Sequence, residues 1–302
     1  RYKRRFTSTP TTLVTSLALA GALDNFGIQR ESFFVDNGKG ETFLDIFVRY
    51  GNKYQMDKAN TVNSLFGDDC FVAISKPEIP QAERWSDLER LNKEKELVGI
   101  YLSAHPLDEF KIILDYVCNT RMIEFNNKEA LLDREILAGG IVSGFREGTT
   151  KTGNPYGILK IEDYSGSAEI PLFGPNYLDY AKYGRNGMYL LINAKVVQRN
   201  RNQTNFYDIQ INSIKLLQDE MNNLIENICI SVPIHDLDET NINELSTLIK
   251  SNPGQTLLYF KVVDGTHNIS LNLFSSNVRL KVTSSLIDYL KENGSFDFKI
   301  NN

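Results

Sequence analysis

Cysteine and histidine are scarce in this sequence, with three of each among 302 residues. They lie far apart, and no two cysteines have the C-x-x-C spacing of a zinc or redox site. An odd and scattered set of cysteines argues against a disulfide scaffold and favours a reducing compartment. We therefore expect a cytoplasmic protein with no metal and no other cofactor in this chain.

Long apolar runs are also missing. No stretch of about 18 uncharged apolar residues occurs, so we expect no transmembrane helix and no membrane partner. The chain starts with RYKRRFTSTPTTLVTSLALAGAL, in which basic residues precede an apolar segment. Thr and Ser interrupt that segment and no clean signal-peptidase site follows, so we interpret the start as the cut edge of a longer protein.

The sequence lacks the common catalytic signatures. It contains no G-x-G-x-x-G after a strand, no G-x-x-x-x-G-K-[ST], no G-x-S-x-G and no H-E-x-x-H. Asp236 and Asp238 lie close together, but at the predicted start of a helix, where carboxylates stabilise the helix dipole. We expect no catalytic residue in this chain.

The net charge of −5 is unevenly distributed along the chain. Residues 136–217 have an excess of three basic residues, whereas residues 218–302 have an excess of five acidic residues. A mildly basic module thus lies between acidic ones. The acidic tail favours a protein rather than a nucleic acid as its partner.

The first residues have helical periodicity that gives way to a polar segment. We predict helix, turn and helix over residues 11–34 and an amphipathic helix over 40–54. Residues 55–84 have no sustained hydrophobic periodicity, and this absence predicts a linker.

A second helical region surrounds the segment SAHPLDEF. Residues 84–104 predict a helix that Ser86 caps and Pro106 ends, and residues 107–117 predict the next helix. We interpret His105 as a residue that ends a helix and hydrogen-bonds locally, because no carboxylate or nucleophile motif surrounds it.

From residue 135 onward, period-two alternation and turn residues predict five strands and one short helix between the third and the fourth. The predicted strands are 136–147, 155–163, 167–173, 187–198 and 206–216. Five strands with a helix in this place are typical of the OB-fold, a Greek-key barrel. The tail then predicts a small α+β domain in the order β-α-β-β-β-α-β.

The sequence therefore predicts a multidomain α+β protein with a helical N-terminal segment, a five-stranded OB-fold barrel and a small α+β C-terminal domain. The predicted parts are a helical region (1–54), a linker (55–84), a helical connector (85–134), the barrel (135–217) and the C-terminal domain (218–302).

The barrel is the candidate binding module. OB-folds bind oligonucleotides on the face of strands two and three and in the loops between strands one and two and strands four and five. If Leu159 and Ile161 point inward, the residues between them face outward, where aromatic rings can stack on bases and cations can pair with phosphates. The candidate nucleic-acid-binding residues are Lys151, Tyr156, Lys160, Arg199, Arg201 and Tyr207.

The polar segment 55–84 contains an isolated apolar pair, Leu65 and Phe66, in the stretch NSLFG. Two such side chains cannot build a core alone. Either they pack onto a neighbouring domain or they form a short linear motif that fills an apolar pocket of a partner.

Three blocks together resemble a known family. LALAGALDNFGIQRESFF, KELVGIYLSAHPLDEF and the barrel segment AGGIVSGFREGTTKTGNPYGILKIEDYSGSAEIPLF are similar to the C-terminal third of the bacterial replicative DNA polymerase III alpha subunit. The first block is similar to the end of the family's helix-hairpin-helix region. The tail is similar to the family's final domain, which in some relatives contacts the clamp-loader tau subunit.

The resemblance implies a role in DNA replication. In this family a sliding-clamp motif of the form Gln-Leu-Ser/Asp-Leu-Phe lies between the hairpin region and the barrel, and Ser64, Leu65 and Phe66 match its last three positions. Val62 and Asn63 depart from the first two. The family's metal-binding aspartates lie upstream of Arg1, so the parent chain is expected to be a DNA-directed DNA polymerase, a nucleotidyltransferase, while this chain carries no catalytic residue.

Two functions remain open. In the first, the chain binds single-stranded and duplex DNA, contacts the sliding clamp and guides the template strand with its barrel. In the second, it is a protein-interaction scaffold of the replisome, and the barrel packs structurally without binding nucleic acid.

Overall fold

The computed structural model of the protein describes residues 10–63, 75–198, 207–294 and 296–301. The chain divides into two compact units, Arg1–Pro106 and Leu107–Asn302.

The first unit is helical. Its helices are α1 (Pro10–Leu19), α2 (Phe43–Asn63) and α3 (Asp87–Val98), with 3-10 turns at Asp24–Phe26 and Arg30–Phe34. A small apolar core joins α1, α2 and the second 3-10 turn, formed by Ala18, Phe33, Phe43 and Leu44.

Three predicted elements of this unit differ from the structure. The second helix predicted within 11–34 is a pair of 3-10 turns. Helix α2 continues past residue 54 to Asn63, because residues 53–63 contain no Gly or Pro to stop it. Helix α3 begins after the predicted cap, with the Ser86 hydroxyl accepting a hydrogen bond from the Glu89 N–H, but ends at Val98 rather than at 104.

Gly99 rather than Pro106 ends helix α3. Gly99 has a φ of 88° and its N–H donates to the Lys95 carbonyl at 2.8 Å, a left-handed cap that glycine adopts without strain. His105 lies beyond this cap, with its ring edge-on to Tyr101 at 4.9 Å between centroids.

An ion-pair network, formed by Asp24, Arg30 and Glu94, links the two 3-10 turns to α3, and its Arg30–Glu94 pair is buried. Arg30 is 5% exposed; its Nη2 donates to Asp24 at 2.6 Å and its Nη1 to Glu94 at 2.7 Å. Burial alone would raise the pKa of Glu94, but hydrogen bonds from Ser103 and Arg30 outweigh it and hold the pKa at about 2. Glu94 is therefore a buried carboxylate that stays charged.

The second unit begins with the LDEF part of the SAHPLDEF segment and contains a five-stranded antiparallel barrel. Its strands are β1 (Glu135–Thr149), β2 (Pro155–Glu162), β3 (Ser167–Phe173), β4 (Tyr189–Gln198) and β5 (Tyr207–Leu216). Helix α5 (Pro175–Tyr180) lies between β3 and β4. The sheet order β3-β2-β1-β4-β5 confirms the predicted fold class of a five-stranded OB-type sheet.

Strand β1 changes partners in its middle, pairing with β4 over Glu135–Ile141 and with β2 over Ile141–Thr149. Gly139 and Gly140 lie at this point. A Cβ on Gly140 would lie 2.7 Å from the Glu162 carbonyl oxygen, so glycine permits the close approach that bends the strand around the barrel core.

The C-terminal part of this unit is a four-stranded sheet with helices on one face. After the short helix α6 (Leu217–Glu220) come β6 (Asn227–Pro233), α7 (Glu239–Ser251), β7 (Pro253–Asp264), β8 (Ile269–Leu280), α8 (Ser284–Glu292) and β9 (Asp297–Ile300). The sheet order is β8-β7-β6-β9, and β6 and β7 are parallel. Asp238 caps α7, as its predicted place at a helix start implied.

The tail prediction counted one strand too many. The segments HNISLNLF and VRLKV, predicted as separate strands, belong largely to the single strand β8, which ends at Leu280. The polar residues Ser275–Asn277 between them form an irregularity in the β7–β8 register rather than a turn. The described order is therefore β-α-β-β-α-β.

Helix α4 (Lys111–Tyr116) connects the two sheets of the second unit. Leu114 lies over Gly139 of β1, while Ile112 and Tyr116 pack against the core of the C-terminal sheet. Just before the helix, Leu107 and Phe110 are fully buried. The segment SAHPLDEF thus spans the boundary between the two units and anchors the start of the second one.

Candidate nucleic-acid interface

Strand β2 presents opposite sets of side chains to the two sides of the barrel wall. Leu159 and Ile161 are fully buried in the barrel core. The residues that alternate with them along the strand therefore face outward, as expected. Lys160 is exposed and Tyr156 is half-buried on the outer face.

An aromatic pair lies on this outer face. Tyr156 is opposite Phe173 of β3, with ring centroids 5.4 Å apart, and Phe173 is 51% exposed. On its other side, Tyr156 is opposite Gly148 of β1, where a Cβ would lie 2.8 Å from the tyrosine ring. The missing side chain at Gly148 leaves the space in which the ring lies against the strand.

Charged groups follow along the same face. Lys160 is opposite Gly144 on one side and Glu169 on the other. Arg146 of β1 donates to Glu169 at 2.8 Å, and both side chains are more than half exposed. A salt bridge this exposed stabilises the protein little, so Arg146 can exchange its partner at small cost.

Lys151 lies in the turn between β1 and β2. The Thr150 N–H donates to the Asn154 carbonyl at 2.8 Å, and the Gly153 N–H donates to the Thr150 carbonyl at 2.9 Å. These bonds close the turn and hold exposed Lys151 beyond the Gly148–Tyr156 pair. Three of the predicted residues, Lys151, Tyr156 and Lys160, therefore belong to one hairpin.

The remaining predicted barrel residues come from the β4–β5 connection. Tyr207 begins β5 opposite Gln198 and packs partly against the barrel core, so its ring is only partly available to a ligand. Arg199 and Arg201 lie outside the described residues.

Two members of the outer face were missed by the sequence reasoning. Phe173 follows Ala168, Ile170 and Leu172, which all point inward, so alternation along β3 could have revealed it. Arg146 could not be found in this way, because a register shift between Val142 and Gly144 breaks the alternation of β1.

The clamp-binding candidates Ser64, Leu65 and Phe66 also lie outside the described residues. They directly follow helix α2, which ends at Asn63.

A separate apolar groove of about 360 Å³ lies in the C-terminal domain between α7 and strands β7 and β8. Leu237, Ile242 and Leu273 line it and are 41–50% exposed. Apolar side chains grouped in this way are typical of protein-binding surfaces.

Over residues 10–63, 75–198, 207–294 and 296–301, no group of three or more His, Cys, Asp or Glu side chains has a metal-binding arrangement. Within the same ranges, no helix has the length and apolar character needed to cross a bilayer.

Comparison with known sequences identifies relatives along most of the chain. A family model described as DNA polymerase III alpha subunit, C-terminal domain, matches residues 228–301. The DNA polymerase III subunit alpha of Mycobacterium leprae is 26% identical over 276 residues, which cover 89% of this chain and 22% of that protein. The subunit of Campylobacter jejuni is 30% identical over 162 residues, covering 53% of this chain and 13% of that protein. The chain thus spans less than a quarter of the length of these relatives.

Similar solved structures include small OB-type proteins. A mitochondrial single-stranded DNA binding protein from S. cerevisiae is 22% identical with a TM-score of 0.22, covering 28% of this chain and 94% of that chain. The second OB-fold domain of replication protein A from Methanococcus maripaludis is 16% identical with a TM-score of 0.21, covering 30% of this chain and 91% of that chain.

Proposed function

Because this chain matches DNA polymerase III alpha subunits over 89% of its length, and its residues 228–301 match their C-terminal domain, we propose that it is the DNA- and clamp-engaging part of a replicative polymerase. These matches confirm the resemblance to this family that the sequence indicated. The polymerase activity belongs, in this proposal, to the longer parent protein, a DNA-directed DNA polymerase of the cytoplasm. The N-terminal helical region would hold duplex DNA through its phosphates, independently of sequence.

The barrel guides single-stranded template in this proposal. The observation that carries it is the exposed pair Tyr156 and Phe173, with Lys160 and Lys151 on the same hairpin. Rings exposed on this face can stack on successive bases, and the lysines can pair with the phosphates between them.

Replacing Tyr156→Ala together with Lys160→Ala tests the barrel. Loss of one stacked base costs about 1–3 kcal/mol, so we expect Kd for a labelled oligo-dT strand to rise at least about fivefold. Loss of one cation should reduce the slope of log Kd against log salt by about 0.7. Fluorescence anisotropy at several salt concentrations measures both quantities.

Lys215→Gln is the matched control, because Lys215 is near the end of β5 remote from the β4–β5 loop and pairs with Glu220 at 2.9 Å. It should leave Kd unchanged. Wild-type binding that is independent of salt, or a double variant with wild-type affinity, would contradict the barrel's role.

Protein partners form the second part of the proposal. We assign clamp binding to Ser64, Leu65 and Phe66 by the match to the family motif. For the C-terminal domain, the exposed apolar groove beside α7 favours a protein partner, for which the clamp-loader tau subunit is the family's candidate. If the barrel variants have no effect on DNA binding, the protein-interaction scaffold becomes the better supported of the two functions.

One pull-down experiment separates the two contacts. Leu65→Ala with Phe66→Ala should abolish capture by the sliding clamp and leave capture by tau unchanged. Ile242→Asp, which places a charge in the half-exposed groove, should abolish capture by tau and leave capture by the sliding clamp unchanged. Each variant is the control for the other, and normal clamp capture by the first variant would overturn the motif assignment.

A further inference from the structure

The C-terminal sheet has an open face on the side away from its helices. Leu258 and Phe260 of β7 point into the core beneath α7 and α8, so Tyr259 between them points to the opposite face. A shallow groove of about 510 Å³ lies on that face, lined in part by Cys229, Tyr259 and Lys261.

One row of side chains crosses all four strands of this face. The strand registers pair Lys299 with Cys229, Cys229 with Tyr259, and Tyr259 with Phe274. The rings of Tyr259 and Phe274 lie 5.1 Å apart between centroids at 39°, and Phe274 is 55% exposed. The row therefore presents an aromatic pair at one end and a cation at the other.

Cations also lie in the flanking rows. Lys261 is opposite Asn272 in one row, and Arg279 is opposite Leu257 in another. Both cations are exposed. Between the aromatic pair and Lys299, strand β6 contributes the small side chains Cys229 and Ser231, which leave room for a flat ligand to approach the sheet.

The charge of this face is opposite to that of the domain. Residues 218–302 have a net charge of −5, yet the rows described contain Lys261, Arg279 and Lys299 and a single carboxylate, Asp297. Helices α7 and α8, on the other side of the sheet, contain acidic residues at Glu239, Glu244, Asp288 and Glu292. The net negative charge of residues 218–302, which favours a protein partner, thus does not apply to the open face.

We propose that this face is a second binding surface for single-stranded DNA. Two bases stack on Tyr259 and Phe274, and Lys261, Arg279 and Lys299 pair with the phosphates. A four-stranded sheet that stacks bases on aromatic side chains while cations track the backbone is a general solution for single strands. The surface is distinct from the barrel, and the inference does not depend on the barrel binding DNA.

The test uses the full chain in a Tyr156→Ala/Lys160→Ala background, which weakens the barrel's contribution to binding. Adding Tyr259→Ala and Phe274→Ala should raise Kd for labelled oligo-dT by at least about fivefold, the lower end of the effect of one lost stacked base. Adding Lys261→Gln should reduce the salt slope by about 0.7. Lys250→Gln, on α7 behind the sheet, is the matched control and should change neither quantity.

Photocrosslinking keeps the inference testable if the alanine variant does not fold. An oligonucleotide containing 5-iododeoxyuridine should form adducts on the peptide of Tyr259 or Phe274 in the wild-type chain, as identified by mass spectrometry. Adducts confined to the barrel would overturn the second surface and leave the barrel function intact. Adducts confined to the C-terminal sheet would support the second surface and contradict the barrel function. Unchanged Kd with no adduct at the sheet would indicate a protein as its ligand.

Discussion

At the scale of single residues, Glu94 shows how one buried carboxylate holds distant parts of the helical unit together. It accepts hydrogen bonds from Arg30 and from the backbone N–H groups of Leu102 and Ser103. Replacing it with Gln leaves the Arg30 guanidinium with Asp24 as its remaining anion. We expect Glu94→Gln to lower the free energy of unfolding of this unit by about 3 kcal/mol at neutral pH.

The effect of Glu94→Gln depends on pH in a defined direction. The folded pKa of Glu94, about 2, is below its ordinary value of 4.5, so the carboxylate stabilises the fold above that value and the stabilisation is lost as pH falls towards 2. The stability difference from wild type should therefore be largest above about pH 5 and shrink in acid. Trp85, the chain's single tryptophan, stacks on Phe34 in this unit and reports its unfolding by fluorescence.

Glu96→Gln provides the control for this prediction, because Glu96 is exposed on the same helix. Glu96→Gln should change neither the unfolding midpoint of this unit nor the pH dependence of that midpoint. Equal midpoints for Glu94→Gln and wild type at pH 7 would contradict the role of the network.

Single residues of the binding face were predictable where alternation is unbroken. Tyr156 and Lys160 could be placed outward because Leu159 and Ile161 are strongly apolar neighbours on a regular strand. Arg146 and the network partner Glu94 could not, since a bulge and a contact between residues 64 positions apart leave no local pattern. Local sequence shows the orientation of a side chain but not its distant partner.

At the scale of elements, the bend of β1 depends on the absence of a side chain. We expect Gly140→Ala to destabilise the second unit by about 1–3 kcal/mol, because the added Cβ would lie 2.7 Å from the Glu162 carbonyl oxygen and the backbone must shift. Urea unfolding followed by far-UV circular dichroism measures the change.

Gly144→Ala is the matched control on the same strand, where the nearest atom to the added Cβ is 3.7 Å away on Lys160. Its effect should stay within about 0.5 kcal/mol. If the two alanine variants were equally stable, the close approach at Gly140 would not be what shapes the strand.

The strands of the barrel were predicted to within one or two residues, whereas helix ends were not. Turn residues and alternation mark both ends of β2 and β3 in the sequence. Helix α2 continues through Gly51 to Asn63, and Gly99 ended α3 before the more conspicuous Pro106. Polar residues within β8 concealed its continuity, since an irregular edge strand and a turn have similar compositions.

At the scale of the whole molecule, the boundary between the units predicts how the chain can be divided. Both sheets and their cores lie within Leu107–Asn302. We expect a fragment of residues 107–302 to fold alone and unfold cooperatively, as followed by circular dichroism.

A fragment that starts at Lys111 is the matched comparison, because it lacks Leu107 and Phe110, both fully buried. Loss of the phenylalanine alone should cost about 3–5 kcal/mol. Equal stability of the two fragments would show that the segment does not anchor this unit. The sequence indicated a break at the His-Pro pair, but it could not show that the residues after it enter a core, because their partner Tyr189 is far away in the chain.

Helix α4 has only six residues and reaches two hydrophobic cores at once, with Leu114 over β1 and Tyr116 against Phe298 of β9. One residue inserted into an α-helix rotates every later side chain by about 100°. Such an insertion would turn Tyr116 away from the C-terminal sheet while the barrel stayed in place. Length changes should therefore be tolerated in the surface turns and excluded from this short connector, because the direction of each of its side chains determines which core that side chain reaches.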